Sequence, residues 1–179
     1  MNQSKKLVIL VFVILLSLKS YTQTNSSVFV SQEGLVSFKL TKDDFYLYIS
    51  QNGKITGYGT FGNGNIEYDY NNRVIQIGNI KISYDTRGRL GAFGNTIVHY
   101  DFNQNRVDKV GNLEIHYDFY QNRIDKFANL SIHYGFYDNK VDKIGNATIK
   151  YNNQGFVEKI DDYDEIVIFK PKLEVASDK

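Results

Sequence analysis

The sequence predicts an all-β protein, an antiparallel β-meander of repeated hairpins rolled or spiralled into a single-domain sheet. The composition, with 14 Gly, 14 Tyr, 12 Phe and one Pro, favours strands and tight turns. Apolar and polar residues alternate in the segments between the turns, which is typical of half-buried strands. A tyrosine also recurs every 16 or 17 residues, which is the mark of a repeat architecture, at Tyr68, Tyr84, Tyr100, Tyr117, Tyr134 and Tyr151.

The first 22 residues have the features of a secretory signal peptide. Lys5 and Lys6 precede an apolar run, residues 7–18, that is too short to span a bilayer as a helix. We therefore predict a secreted, periplasmic or cell-surface protein with no integral membrane segment after cleavage near Thr22. The remaining chain has 18 basic and 20 acidic residues, and this near-neutral balance argues against a nucleic-acid partner. With no Cys in the sequence, packing alone must hold the fold.

Residues 23–67 are predicted to form a degenerate N-terminal β cap. Three strand-like segments, 27–31, 35–40 and 45–50, are followed by a Gly-rich turn region, 57–64. Terminal units of a repeat protein are expected to be atypical because they end the stack.

The hairpin repeats occupy residues 68–157, and residues 112–127 illustrate one of them. Leu113, Ile115 and Tyr117 alternate with polar residues, so one face of this strand is predicted to be buried. A polar turn, residues 118–122, leads to a second short strand, residues 123–127. The repeat is therefore a hairpin.

Each second strand ends at a two-residue step of the Gly-Asn type, which suits the tight turns that require positive φ. Ala128 replaces Gly in one of the five steps and is expected to be the most strained. Ile124 and Phe127 are three residues apart, so both can face the core only if a bulge lies at the intervening Asp-Lys pair. We predict that bulge.

One repeat cannot fold alone, because its few buried side chains do not offset the backbone entropy of some seventeen residues. The stack should contain roughly a dozen strands and roll up, since open sheets rarely exceed about ten strands. Residues 158–179 are predicted to be a C-terminal capping strand and tail, with an acidic segment, a strand at 166–169, and Pro171 ending it.

The turns carry a recurring motif of Tyr-Asp, a short turn, Gly or Asn, then Arg and an aliphatic residue. It occurs at residues 84–90, 100–107 and 117–124. This motif resembles the YD repeat of Rhs and teneurin-type proteins, and the chain is similar to a short, divergent form of that family. The resemblance covers about residues 68–157 and implies hairpins that wind into a spiralling sheet or shell.

Three sets of polar residues are candidates for a metal or catalytic site. His99, His116 and His133 share a register position, but they would lie about 9.5 Å apart, so a solvated polar column is favoured over a metal site. The repeated Asp-Lys pairs favour cross-strand charge pairing over acid-base catalysis. The acidic segment 161–165 lacks the ligand spacing of a calcium loop. We predict no enzyme activity, no metal and no cofactor.

The turns also present aromatic side chains at the pitch of the repeat. The favoured interpretation is that the Phe residues fold back to cap the open end of the sheet, and the alternative is that such rings stack on the sugars of a polymer. The favoured function is an envelope-associated structural or interaction module, with a cell-surface glycan or an envelope protein as partner. The alternatives are a carbohydrate-binding module and a small outer-membrane barrel. The candidate ligand-binding residues are Phe102, Phe119, Tyr120, Phe136 and Tyr137.

Overall fold

A computed structural model describes residues 25–172 except 43 and 62. The predicted signal peptide, residues 1–22, lies outside the described residues. Every regular element in the described part of the chain is a strand, and the prediction of an all-β protein is confirmed. None of the described residues forms a helix long and apolar enough to cross a membrane.

Within the described residues, seventeen strands form two sheets, one of twelve strands and one of five. In chain order they are β1 (Asn25–Ser31), β2 (Val36–Lys42), β3 (Phe45–Ser50), β4 (Ile55–Thr60), β5 (Ile66–Tyr68), β6 (Val74–Ile77), β7 (Ile80–Tyr84), β8 (Leu90–Phe93), β9 (Thr96–Tyr100), β10 (Val107–Val110), β11 (Leu113–Tyr117), β12 (Ile124–Phe127), β13 (Leu130–Tyr134), β14 (Val141–Ile144), β15 (Ala147–Tyr151), β16 (Val157–Asp161) and β17 (Val167–Lys170).

The larger sheet is the predicted meander, because its spatial order is the chain order from β5 to β16. Each strand pairs antiparallel with the next, and the two-residue steps join Ile77 to Ile80 and Phe127 to Leu130 directly across the hairpin. The sheet is open, with β5 at one edge and β16 at the other.

The smaller sheet has the order β17-β1-β2-β3-β4 and is built largely from the segment before the repeats. Its strands pair antiparallel except β17, which returns from the C-terminal end and pairs parallel with β1. The two ends of the described chain therefore meet in one sheet. This sheet lies against the face of the meander, so it covers the apolar side chains of the repeats.

The core lies between the apolar faces of the two sheets. Phe38 on β2 stacks on Phe127 on β12, with ring centroids 4.5 Å apart. Phe45 on β3 stacks on Phe93 on β8 at 4.9 Å. Fully buried aromatic pairs of this kind contribute about 0.5–1.5 kcal/mol beyond the area they bury. These contacts supply the burial that a single hairpin lacks.

The predicted bulge is confirmed. The pairing register shifts between Val107 and Lys109, and the same shift occurs on β12 and β14. The extra Asp lets both apolar residues of the strand face the core, where Val107 and Val110 are 0% and 2% exposed.

The bulges also connect the two sheets. The N–H groups of Val107 and Ile124 donate to the carbonyl oxygens of Gly53 and Gln51 in the β3-β4 turn, each at 2.9 Å. At the β1-β2 turn, the N–H of Val157 donates to the carbonyl of Gln32 at 2.9 Å. The turns of the smaller sheet thus satisfy backbone donors at the starts of strands in the meander.

Positive φ at the two-residue steps is confined to their first residue. Gly78, Gly94, Gly111 and Gly145 have φ between 48° and 58°, and Ala128 has φ 53°. The following Asn has no positive φ, so each step has the pattern of a type II′ turn, which takes Gly first. The expectation that Ala128 occupies a position meant for Gly is therefore met.

Ala128→Gly is expected to stabilise the protein. Positive φ destabilises the folded state by about 1–2 kcal/mol for a residue with a Cβ, and Gly removes this strain. Gly also raises the conformational entropy of the unfolded chain, which offsets about half of the stabilisation. The net rise in unfolding free energy should be about 1 kcal/mol, or a few degrees in melting temperature. The matched control is Gly94→Ala, because a Cβ there would meet nothing within 4 Å and only the backbone is strained. Chemical denaturation should move the two variants in opposite directions, and a less stable Ala128→Gly would contradict the strain.

Candidate functional site

The periodic tyrosines form a ladder of hydrogen bonds between successive hairpins. The Tyr100 hydroxyl donates to the carbonyl oxygen of Leu90 at 2.9 Å, and the Tyr134 hydroxyl donates to that of Ile124 at 2.9 Å. Tyr84, Tyr117 and Tyr151 make the same bond, each to the carbonyl ten residues earlier. Because this carbonyl belongs to the first residue of the bulged strand, the tyrosine ties each hairpin to the one before it.

The arginines of the motif pack on these tyrosines. The guanidinium carbon of Arg106 lies 3.8 Å from the ring centroid of Tyr117, and that of Arg123 lies 4.0 Å from the ring centroid of Tyr134. A guanidinium over an aromatic face contributes about 0.5–2 kcal/mol. Each turn is therefore braced against the tyrosine of the following repeat.

The aspartates of the motif fix the turn itself. The Asp101 carboxylate accepts the N–H of Gln104 at 2.9 Å and the Nε–H of Arg106 at 2.7 Å. Asn105 adopts φ 63°, and Nη1 of Arg106 reaches the side-chain oxygen of Asn122 in the next turn at 3.0 Å. The Tyr-Asp, Asn-Arg motif is thus one connected network that sets the shape and spacing of the turns.

The electrostatics of these aspartates reflect the same network. Burial alone would raise the pKa of Asp101. The hydrogen bonds from Gln104 and from the Arg106 guanidinium outweigh burial and hold its pKa below the usual range. The pKa of Asp118 is lowered in the same way by Gln121 and Arg123. Both carboxylates therefore stay ionised and act as fixed acceptors.

The third aromatic turn is held by different residues. Gly135 stands in place of Asp, and Asp138 lies where its side chain would be, because a Cβ on Gly135 would be 2.5 Å from an Asp138 carboxylate oxygen. That carboxylate accepts the N–H of Lys140 at 3.3 Å. The Lys140 ammonium lies 5.1 Å from the ring centroid of Tyr151. This turn therefore also contacts the tyrosine of the following repeat, through Lys140 in place of Arg.

The structure places all the predicted ligand-binding residues on the surface of three successive turns. Phe102, Phe119 and Phe136 are 89%, 89% and 88% exposed, and Tyr120 and Tyr137 are 90% and 95% exposed. The favoured interpretation, that the Phe residues fold back to cap the sheet, is therefore wrong. Guanidinium or ammonium groups, not these Phe rings, lie over the faces of Tyr100, Tyr117, Tyr134 and Tyr151.

Two of the turns carry paired rings. Phe119 and Tyr120 stand edge to face with centroids 5.4 Å apart, and Phe136 and Tyr137 do so at 5.1 Å. Equivalent turns lie two strands apart, or about 9.5 Å. The aromatic turns therefore form a short row of exposed rings at one end of the meander strands, with each ring fixed to a braced turn.

The polar residues that were candidates for a metal or catalytic site lie away from the aromatic turns. His99 and His133 contact Asp108 and Asp142 through Nδ1 at 2.5 and 2.6 Å, on the solvent face of the meander. Within the described ranges, no group of three or more His, Cys, Asp or Glu could hold a metal ion. In the acidic segment, the Asp162 carboxylate accepts the N–H of Val167 at 2.7 Å, which fixes the entry to β17.

The Asp-Lys pairs contact other partners across the strands. Asp108 pairs with His99, while the Lys109 ammonium lies 3.7 Å from the Glu114 carboxylate. The chemistry of these groups is therefore charge pairing on a solvated sheet face.

Comparison with protein-family models, with curated proteins and with solved structures gave no match to this chain. The resemblance to YD repeats accordingly rests on the motif, and the network above supplies a physical role for each residue in it.

Proposed function

We propose that this protein is a non-enzymatic interaction module outside the cell and that it binds a polysaccharide through its aromatic turns. The observation that carries the proposal is the exposure of five rings, at 88–95%, on three successive turns. Exposure of large aromatic side chains to water is unfavourable, and a cluster of them on one side of a molecule is typical of a binding surface.

The arrangement suits a linear sugar polymer. The apolar face of a sugar ring stacks on an aromatic ring, and rings at a regular pitch can meet successive units of one chain. The hydrogen-bonded turns add to this, because a turn whose backbone is already fixed loses less conformational entropy on binding. By analogy with stacking of nucleobases, each ring contributes about 1–3 kcal/mol.

The scaffold fits a binding role better than a catalytic one. Apart from the tyrosines, Thr96, at 5% exposure, is the one buried polar residue among the described residues. Four carboxylates with lowered pKa values belong to the turn network, where each is paired with an arginine, and the fifth, that of Asp161, is paired with Lys159 on the surface. Catalytic sites use pairs of groups in separate environments, which a repeated network does not provide.

The double variant Tyr120→Ala/Tyr137→Ala tests the proposal. We expect it to fold like the parent, because both rings are at least 90% exposed. Losing two stacked rings should weaken binding by at least about tenfold. The measurement is retention on insoluble chitin, cellulose and peptidoglycan, with circular dichroism and melting temperature as the check on folding.

The matched control is Tyr163→Ala, which removes a tyrosine that is 95% exposed in the connection between β16 and β17, away from the aromatic turns. It should be retained like the parent. Equal retention of the parent and the Tyr120→Ala/Tyr137→Ala variant on a polysaccharide that holds the parent would exclude the turn tyrosines as the binding site. Failure of the parent to bind any of these polymers would count against the polysaccharide.

A further inference from the structure

The outward face of the five-stranded sheet carries aromatic rings where a solvated sheet face usually carries polar side chains. On β3, Tyr46 and Tyr48 point outward between the buried residues Phe45, Leu47 and Ile49. They belong to an unbroken series of four rings. The centroid distances are 6.3 Å from Phe29 to Tyr48, 5.6 Å from Tyr48 to Tyr46, and 5.3 Å from Tyr46 to Phe61.

Two glycines on the neighbouring strand make room for these rings. Gly59 and Gly57 on β4 pair with Tyr46 and Tyr48. A Cβ on Gly59 would lie 2.6 Å from Cζ of Tyr46, and a Cβ on Gly57 would lie 3.6 Å from Cδ2 of Tyr48. Neither glycine has a positive φ, so space for the ring, not backbone conformation, explains Gly59. The tyrosines lie over β4 with their other sides toward solvent.

Two lysines lie close to this series of rings. The Lys39 ammonium lies 5.0, 5.6 and 5.9 Å from the ring centroids of Tyr46, Tyr48 and Phe61. A second lysine, the exposed Lys170, lines an adjoining cleft of about 490 Å³. None of the described residues lining that cleft is acidic. The face therefore favours an anionic ligand.

The cleft supplies the remaining elements of a sugar site. Phe29, Tyr48 and Ile168 give it apolar walls, and Ser37 and Thr56 bring hydroxyl groups. Aromatic surface with a few convergent polar groups is the usual composition of a ligand pocket. The hydroxyls can exchange hydrogen bonds with sugar hydroxyls while the ammonium groups pair with carboxylates.

We propose that this face is a second binding site, specific for polysaccharides that carry carboxylate groups, such as chains of uronic acids. The four rings receive the apolar faces of the sugars, and Lys39 and Lys170 pair with their carboxylates. This site lies on the opposite sheet from the aromatic turns and is independent of the function proposed for them.

The test is titration calorimetry of the mature protein with polygalacturonate and with its methyl ester. We expect binding of the acid form, weakening with added salt, and at least about tenfold weaker binding of the ester. Lys39→Gln and Lys170→Gln should each weaken binding of the acid form by about tenfold, since each removes a charge-assisted contact. Lys126→Gln, on the solvent face of the meander, should leave it unchanged.

The double variant at Tyr120 and Tyr137 separates the two sites, and it should bind polygalacturonate like the parent. If it loses this binding while both lysine variants keep it, the acidic polymer binds at the turns and the second site is refuted. The proposal is equally overturned if the parent binds none of polygalacturonate, alginate and hyaluronate. Should Lys39→Gln fail to fold, Lys170→Gln at the exposed rim decides the outcome.

Discussion

Ile115→Asp is expected to unfold the protein or bring it close to unfolding, while the neighbouring His116→Asp is tolerated. Ile115 is 4% exposed in the core between the two sheets, and the His116 side chain is 56% exposed on the solvent face. A carboxylate at position 115 replaces apolar burial with a charge that has no partner. The loss should exceed about 4 kcal/mol, against a total stability of about 5–15 kcal/mol for a domain.

His116→Asp should change the unfolding free energy by less than about 1 kcal/mol. The new carboxylate would approach Glu114, but Lys126 lies directly opposite on the paired strand. A second pair in the next repeat serves as a control. Ile132 is 5% exposed, and Ser131 faces Lys126, so Ile132→Asp should repeat the loss and Ser131→Asp should not. Similar melting temperatures for Ile115→Asp and His116→Asp would contradict the register.

The hairpins could be predicted from the sequence because their determinants are local. The alternation around Ile115 and the Gly-Asn steps specify strands and turns within one repeat. The bulge at the Asp-Lys pair followed from two apolar residues spaced three apart, since only an extra residue lets both face the core. The predicted strand 123–127 differs from β12 (Ile124–Phe127) by one residue.

The partner of the apolar face could not be predicted in the same way. The alternation in β2 and β3 indicates one buried face but does not say what covers it. The parallel pairing of β17 with β1 joins residues more than a hundred positions apart, such as Val28 and Val167, and no local pattern encodes it. The coverage of the meander by the smaller sheet is a tertiary property that depends on these long-range contacts.

The candidate site was only partly predictable. The positions of the turn rings follow from the repeat, but their exposure is a property of the folded turns, in which the guanidinium groups of Arg106 and Arg123 lie over the faces of Tyr117 and Tyr134. The recurrence of Arg one step after Asn was visible in the sequence as a motif, without its role. The rings of Tyr46 and Tyr48 were missed because an alternating strand does not show whether its outward aromatics meet glycine or a bulky neighbour.

Alkaline pH is expected to unfold the protein cooperatively through the tyrosine ladder. Burial raises the pKa of Tyr100 to about 12, and burial likewise raises the pKa values of Tyr84, Tyr117, Tyr134 and Tyr151. The neutral phenol donates to the preceding hairpin, and a phenolate cannot. Because the folded pKa exceeds the unfolded value of about 10, the stability these groups contribute is complete below about pH 10 and is lost as the pH rises through the folded values.

Each such tyrosine can steepen the loss by up to about 1.4 kcal/mol per pH unit, and five of them act in one network. The β-sheet signal in circular dichroism should therefore collapse over a narrow range above about pH 10. Part of the phenolate absorbance should appear in the same transition.

Tyr117→Phe should be less stable at neutral pH, because the Val107 carbonyl loses its hydrogen-bond donor, but its stability should fall less steeply with pH. Tyr70→Phe, at a ring 93% exposed, is the control and should behave like the parent. Complete phenol ionisation with the β-sheet signal intact would show that the ladder does not hold the repeats together.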